Sequence, residues 1–191
     1  LGVVAWHDQL LADLWDRTVT DPEDQVWVLG DISVGGAKAQ QDALFWLAER
    51  PGRKHLISGN HDSTHPMHRD AHKHLDRYYN VFDSVQAFAR RRIPIEQGVN
   101  AEVLLSHFPY AGDHTGGDRY DQYRLRDMGL PILHGHTHSS QILSESPNGS
   151  RQIHVGLDAW DFRPASIAEI AAELCACSPS SPSSPSSWSP P

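Results

Sequence analysis

The feature that most constrains the fold of this chain is a set of four short apolar runs, each followed at once by polar residues or glycine. The runs occupy residues 26–29, 56–58, 103–105 and 131–133. The motifs after them are Gly30-Asp31, Gly59-Asn60-His61-Asp62, Ser106-His107 and Gly135-His136-Thr137-His138. Such runs predict buried strands that end in polar loops. Because open α/β sheets bind ligands outside the carboxyl ends of their strands, we expect the four motifs to meet at one sheet edge.

The segments between these runs predict helices that alternate with strands. The predicted helices span residues 7–19, 37–48 and 167–174. The predicted strands lie at 25–29, 54–58, 81–89, 93–95, 102–106, 132–133 and 152–156. The β-α-β alternation in the first third implies parallel strands, and a turn at 97–100 predicts a hairpin. The pattern therefore predicts an α/β fold with two sheet layers flanked by helices.

The residue types in the four motifs indicate metal chemistry. Carboxylate, amide and imidazole groups are ligands that divalent transition metals accept. His136 and His138 are alternate residues, whose side chains would point to opposite sides of an extended chain. A turn is therefore needed to bring both to one site, and Gly135 is expected to supply the backbone freedom for it.

The order of the motifs and the residues within them resemble those of the calcineurin-like metallophosphoesterase superfamily, in its small phage and bacterial type. That family carries D-x-H, G-D, G-N-H-[DE], a His after a strand, and G-H-x-H, and the last four stand between Gly30 and His138. Residues 155–161, followed by Arg163-Pro164, also look like the end of the small members. The resemblance implies a four-layer α/β/β/α sandwich.

The resemblance also shows a departure from the family pattern. No D-x-H precedes Gly30, and Asp70-Ala71-His72 stands after the Gly-Asn-His-Asp motif, which is the wrong place. We therefore expect a first strand with its Asp and His to be missing upstream. On this interpretation residues 1–175 are an N-terminally incomplete metallophosphoesterase domain with impaired activity.

The resemblance assigns roles to individual residues. It implies that Asp31 bridges two metal ions, that Asn60, His107 and His136 complete one ion, and that His138 serves the other. His61 is the catalytic candidate, placed to neutralise charge on the phosphoryl group or to protonate the leaving alkoxide, and Asp62 is expected to hold its other nitrogen. The implied cofactors are two divalent ions of Mn, Fe, Zn, Ni or Co, with manganese favoured.

The long loop at 109–129 lies between two ligand motifs. Arg side chains can contact phosphate in a bidentate manner and Tyr can stack on a base, so Arg119, Tyr123 and Arg124 are candidates for substrate binding. A surface loop without a substrate role is an equally open interpretation.

Other conspicuous residues favour structural interpretations. His65, His68, His72 and His74 favour a solvated helical face over a metal site. His134 favours a buried, hydrogen-bonded neighbour of the site over a ligand. Arg90-Arg91-Arg92 favours a solvated turn, and Trp160 favours the core.

Composition excludes several classes of protein. A net charge of −8 gives no broad attraction to nucleic acid or to anionic membranes. No apolar stretch approaches the roughly 20 residues that span a bilayer. The two cysteines form no disulfide framework, which favours the cytoplasm. Residues 176–191 are rich in Ser and Pro and are expected to be disordered.

The function favoured by these observations is a metal-dependent phosphoesterase that hydrolyses phosphodiesters or small nucleotide phosphates, since the chain has no room for a large cap domain. The alternative is a catalytically impaired member that serves as a binding scaffold. The presence of His61 favours the enzyme, and the oligomeric state stays open.

Overall fold

The structure, a computed structural model, describes residues 3–115 and 117–176, with no side-chain detail before residue 6. Residues 177–191, which belong to the tail predicted to be disordered, lie outside this range. The four α-helices of the described range are α1 (Val3–Thr18), α2 (Ala37–Ala48), α3 (Leu75–Tyr79) and α4 (Ile167–Cys175). Its eight strands are β1 (Gln25–Val28), β2 (Arg53–Ile57), β3 (Ser84–Gln86), β4 (Phe88–Glu96), β5 (Val99–Ser106), β6 (Ile132–His134), β7 (Leu143–Glu145) and β8 (Arg151–His154).

The strands form two sheets. The first sheet has the order β1-β2-β3, and all its pairs are parallel. The second has the order β4-β5-β6-β8-β7, in which β5, β6 and β8 are parallel and the outer strands β4 and β7 are antiparallel to their neighbours. The parallel β-α-β unit and the hairpin at 97–100 are therefore both confirmed.

Two apolar clusters show the order in which the helices and sheets are stacked. One joins α1, α2 and α3 to the first sheet and includes Trp15, Leu44, Leu56 and Tyr78. The other contains Ile57 of the first sheet together with residues of the second sheet and of α4. Adjacent residues of a strand point to opposite faces, so Leu56 and Ile57 enter different clusters. The layers follow as helices, sheet, sheet and helix, which confirms the α/β/β/α sandwich.

Some predicted elements differ from the structure. Arg90-Arg91-Arg92 lies within strand β4 and not in a turn, and Arg90 and Arg92 pair across the hairpin with Glu102 of β5. Strand β7 was not predicted, because its three residues are too few to show a period. Trp160 is buried in the core, as predicted. In the described range no helix is long and apolar enough to cross a membrane.

Helix α4 begins with a capping box. The Ser166 hydroxyl accepts a hydrogen bond from the Glu169 backbone N–H, and the Glu169 carboxylate accepts one from the Ser166 backbone N–H. Arg163 pairs with the same carboxylate through both terminal nitrogens, at 2.7 and 3.0 Å. The Arg163 ion pair and these hydrogen bonds lower the pKa of Glu169 to about 2 from 4.5.

The capping box predicts an acid-dependent stability. The ionised Glu169 stabilises the fold above its unfolded pKa of about 4.5, and this contribution is lost as the pH falls toward about 2. We expect Glu169→Gln to reduce the free energy of unfolding at pH 7, and the gap to wild type to narrow at pH 3. Urea unfolding of both proteins at pH 7 and at pH 3 measures this difference in the free energy of unfolding. Glu173→Gln in the same helix is the control, and a gap that does not depend on pH would contradict the prediction.

Candidate metal centre

The predicted ligands come from loops at the carboxyl ends of strands in both sheets. Gly30-Asp31 follows β1 and residues 59–62 follow β2, both in the first sheet. His107 follows β5 and residues 135–138 follow β6, both in the second sheet. The prediction of a single sheet edge is therefore corrected: the site lies where the carboxyl ends of two stacked sheets meet.

Three of the predicted ligands form one compact group. Donor atoms of Asp31, His107 and His136 all lie within 4.8 Å of one another. His107 Nε2 is 3.3 Å from Asp31 Oδ2 and 3.2 Å from Asn60 Oδ1. The structure thus brings Asp31, Asn60, His107 and His136 together.

The hydrogen bonding of His107 shows that this group fits a cation. Its Nδ1 lies 2.7 Å from the carbonyl oxygen of Leu29, which can only accept, so Nδ1 carries the proton. In the neutral ring Nε2 then presents a lone pair toward the Asp31 and Asn60 oxygens. A positive charge among these atoms, either a proton on His107 Nε2 or a bound cation, would offset the repulsion between their lone pairs. Imidazole, amide and carboxylate donors suit a divalent transition metal.

Asp31 is held rigidly by its neighbours. Its Oδ1 accepts a hydrogen bond from the His61 N–H at 2.8 Å, and Oδ2 faces His107. Burial raises the pKa of Asp31, but the interactions with His107 and His61 outweigh burial and leave the pKa below its usual value. The backbone of Asp31 has φ +53°, a left-handed conformation that non-glycine residues adopt at some cost. Its carboxylate is therefore ionised and preorganised toward the group.

Asp62 has a different position from the one expected. Its carboxylate accepts the backbone N–H groups of Gly59, Asp31 and Ile32, at 2.8, 2.9 and 3.1 Å, instead of holding the His61 ring. The side chain is fully buried, so it satisfies N–H groups that would otherwise have no partner. Burial raises the pKa of Asp62 to about 6, although the three N–H groups oppose the shift. The expectation for Asp62 is corrected: it ties together the loops after β1 and β2.

His61 is exposed at the rim of a cleft of about 420 Å³, which Asn60, Gln40 and Gly35 also line. The main chain on either side of the His61 ring is fixed. Its N–H donates to Asp31, and its carbonyl accepts from Gln40 Nε2 at 3.0 Å. The ring therefore lies at the cleft on a backbone that is hydrogen-bonded through both its N–H and its carbonyl.

Gln40 is a residue that the sequence analysis missed. Its Oε1 accepts hydrogen bonds from Ser63 N–H, the Arg77 guanidinium and Tyr78 OH, while its Nε2 holds the His61 carbonyl. The side chain is buried in the face of α2 that also carries Leu44 and Leu47. A polar residue within an apolar helical face was the signal that could have identified it.

In the turn after β6, Gly135 does not supply the unusual backbone conformation that was expected of it. The left-handed residues are His136 and His138, with φ of +61° and +48°. Gly135 instead permits a close approach, since a methyl group there would lie 3.0 Å from the Leu29 carbonyl oxygen. His136 is buried, and burial lowers its pKa to about 4. His138 is 68% exposed, lies 3.5 Å from Asp158, and is outside the compact group.

The three substrate-binding candidates in the loop at 109–129 have different environments. Arg124 is 4% exposed, and its guanidinium donates to the carbonyls of Pro109, Gly112 and Arg119. The expectation for Arg124 is corrected, because these donors hold the loop together instead of facing a substrate. Arg119 is 40% exposed and forms a bidentate pair with Asp113, and Tyr123 is half-buried with its ring edge against His65.

The remaining histidines are partly as expected. His134 is buried and its Nδ1 is 2.8 Å from the Gly135 carbonyl oxygen, as predicted. His65 is also buried, and His68 Nε2 contacts the Asn60 carbonyl oxygen at 3.0 Å. Both residues lie in turns and not on a helix, so a helical face is wrong for them, although His68 is exposed to solvent as predicted.

Comparisons with known proteins bear on the family and the fold of this chain. The family model described as calcineurin-like phosphoesterase matches residues 5–140. The Gene 66 protein of Mycobacterium phage D29 is 60% identical over 154 residues, which cover 81% of this chain and 76% of that protein. The Gene 66 protein of Mycobacterium phage L5 is 56% identical over 156 residues, covering 81% and 74%.

A solved structure shows the same fold at lower identity. It is a protein of unknown function from Aquifex aeolicus, with a TM-score of 0.58 and 23% identity, and the match covers 88% of this chain and 84% of that one. The fold and site define a phosphoesterase-type α/β/β/α protein with a candidate metal centre. The chain belongs to the calcineurin-like phosphoesterase family.

The close packing of the two loops predicts a strict requirement for glycine at position 59. A methyl group added there would lie 2.5 Å from the Asp31 backbone nitrogen and against the Asp31 carboxylate. We expect Gly59→Ala to cost about 1–3 kcal/mol of stability and to weaken binding of Mn²⁺ at least tenfold. Thermal unfolding and calorimetric titration measure the two effects.

Gly117→Ala is the matched control, because among the described residues nothing lies within 4 Å of a methyl group added there. Equal metal affinities in the two variants would contradict this account of Gly59.

Proposed function

We propose that this protein is a metal-dependent phosphoesterase that hydrolyses phosphodiesters or small nucleotide phosphates. The observation that carries the proposal is the convergence of His107 Nε2, Asn60 Oδ1 and Asp31 Oδ2 at 3.2–3.3 Å, with the Nδ1 proton of His107 directed away. A cluster of acceptors that is largely buried is costly unless a positive charge offsets it. Membership of the family supports the hydrolytic reaction.

In this proposal Asp31, Asn60, His107 and His136 hold one divalent ion, and Asp31 and His138 contribute to another, with manganese the favoured metal. Such ions, when bound, stabilise charge on phosphoryl oxygens and lower the pKa of water. The proposed set supplies four ligands to the first of these sites. We therefore expect that site to bind its ion tightly, and Mn, Fe, Zn, Ni and Co are all compatible with the donors.

The protein groups then act on the substrate in defined ways. His61 donates a proton to the leaving alkoxide, or neutralises charge on the phosphoryl group, from the rim of the cleft. Asp31 and Gln40 fix the His61 backbone from both sides, so the ring needs little reorganisation. Arg119 and Tyr123 remain proposed substrate contacts at the loop after His107.

The cleft supports small substrates. Its volume of about 420 Å³ suits one nucleotide-sized group, and most of its lining residues are polar, with three histidines (His61, His68 and His74) and one acidic residue, Asp70. The natural partner in this proposal is a phosphoester or nucleotide. Action in the cytoplasm is proposed because the two cysteines form no disulfide framework.

The decisive experiment compares hydrolysis of bis-(p-nitrophenyl) phosphate by wild type and His107→Ala with added Mn²⁺. We expect turnover by wild type and its loss in the variant, together with loss of bound metal by elemental analysis. A folded wild type that binds metal but hydrolyses neither this diester nor p-nitrophenyl phosphate with any of the five metals would favour the scaffold alternative.

His61 provides a test that separates chemistry from metal binding. We expect His61→Gln to retain its metal and to lower kcat by about 10²–10⁴, the usual contribution of a general acid or base. Steady-state kinetics and elemental analysis measure the two properties. His72→Gln is the control, since His72 is an exposed histidine of the same part of the chain. Loss of bound metal in His61→Gln would make His61 a ligand and overturn its proposed role.

A further inference from the structure

A buried carboxylate contacts one of the proposed metal ligands from the side of the long loop. Asp113 has no exposed side-chain surface, and its Oδ2 lies 3.1 Å from His136 Nε2. Arg119 pairs with both carboxylate oxygens at 3.0 and 3.2 Å, and Arg124 lies 3.4 Å from Oδ2. Neither the motifs nor the family resemblance assigns Asp113 a role.

The contacts of Asp113 determine which nitrogen of His136 carries a proton. A carboxylate paired with two guanidinium groups is an acceptor, so the group that faces it must donate. The proton of neutral His136 therefore lies on Nε2, and its lone pair lies on Nδ1. A carboxylate that orients a metal-binding imidazole in this way also increases the basicity of the ring.

Asp113 is better suited to this task than to binding metal itself. Donor atoms of Asp113, His114 and His136 do lie within 4.8 Å of one another. Two guanidinium groups next to the same carboxylate would, however, repel a divalent cation and already occupy its oxygens. Arg124 also binds three loop carbonyls, so the folded loop holds Asp113 in position against His136.

We propose that Asp113 is a positioning residue that fixes the tautomer and ring orientation of His136, so that His136 Nδ1 is presented to the metal centre. The inference rests on the proposed function, since it requires His136 to be a ligand. The loop at 109–129 then serves the metal centre by a defined contact, in addition to any contact with substrate.

The first test reads the tautomer directly in the wild-type protein. Long-range ¹H–¹⁵N spectra of the imidazole rings, with His136 assigned by comparison with His136→Gln, distinguish a protonated Nε2 from a protonated Nδ1. We expect the proton on Nε2 in both the metal-free and the Zn²⁺-loaded protein. A proton on Nδ1 would overturn the proposal, and this measurement does not depend on the folding of any Asp113 variant.

The second test measures metal affinity. We expect Asp113→Asn to weaken Co²⁺ binding by about 10- to 100-fold and to change the visible absorption of bound Co²⁺. Asp127→Asn is the matched control from the same loop, because Asp127 accepts hydrogen bonds from Ser146 and Ser150 instead of from a ligand. Its Co²⁺ affinity and spectrum should match those of wild type.

A double-mutant cycle excludes a purely structural effect. If Asp113 acts through His136, Asp113→Asn should cause no further loss of Co²⁺ affinity in a His136→Gln background. Additive losses, or an unchanged affinity in Asp113→Asn, would overturn the inference. Failure of the wild type to bind Co²⁺ or Mn²⁺ would instead overturn the proposed function, so the two failures are distinguishable.

Discussion

The carboxylate of Asp62 is the interaction on which the rest of the site depends. It accepts N–H groups from the loop after β1 and from the loop after β2, at 2.8–3.1 Å, inside a fully buried space. Those two loops carry Asp31, Asn60 and His61. Without this acceptor one buried and two partly buried N–H groups would lose their partner, at a cost of up to about 1–3 kcal/mol each, and the loops would lose this link between them.

The packing around Asp62 leaves no space for ordinary side chains, and it also imposes backbone strain. Gly30 and Gly59 approach each other and the His107 ring so closely that added methyl groups would overlap them. Asp31, His136 and His138 adopt left-handed backbone conformations, which cost roughly 1–3 kcal/mol each in non-glycine residues. The close-packed sandwich maintains this strain.

The sequence predicted helices α1, α2 and α4, the parallel unit, the hairpin and the loops that carry ligands, because these depend on local hydrophobic period and on turn residues. The five-residue helix α3 was missed. The sequence also identified Asp31, Asn60, His107 and His136, which the structure brings together. It placed the motifs at one sheet edge, whereas they lie at the ends of two stacked sheets. The stacking of one sheet on another is a long-range arrangement that leaves no periodic signal in the chain.

The errors concern residues whose roles depend on partners distant in sequence. Asp62 and Arg124 stand beside motif or loop residues that suggested catalytic or substrate contacts, yet both satisfy backbone groups. Gln40 and Asp113 belong to no motif, yet one holds the His61 carbonyl and the other contacts His136. A motif identifies groups that contact the reacting atoms, because the chemistry restricts their type. The residues that orient those groups are restricted only by geometry, so they become visible when the partners are seen in three dimensions.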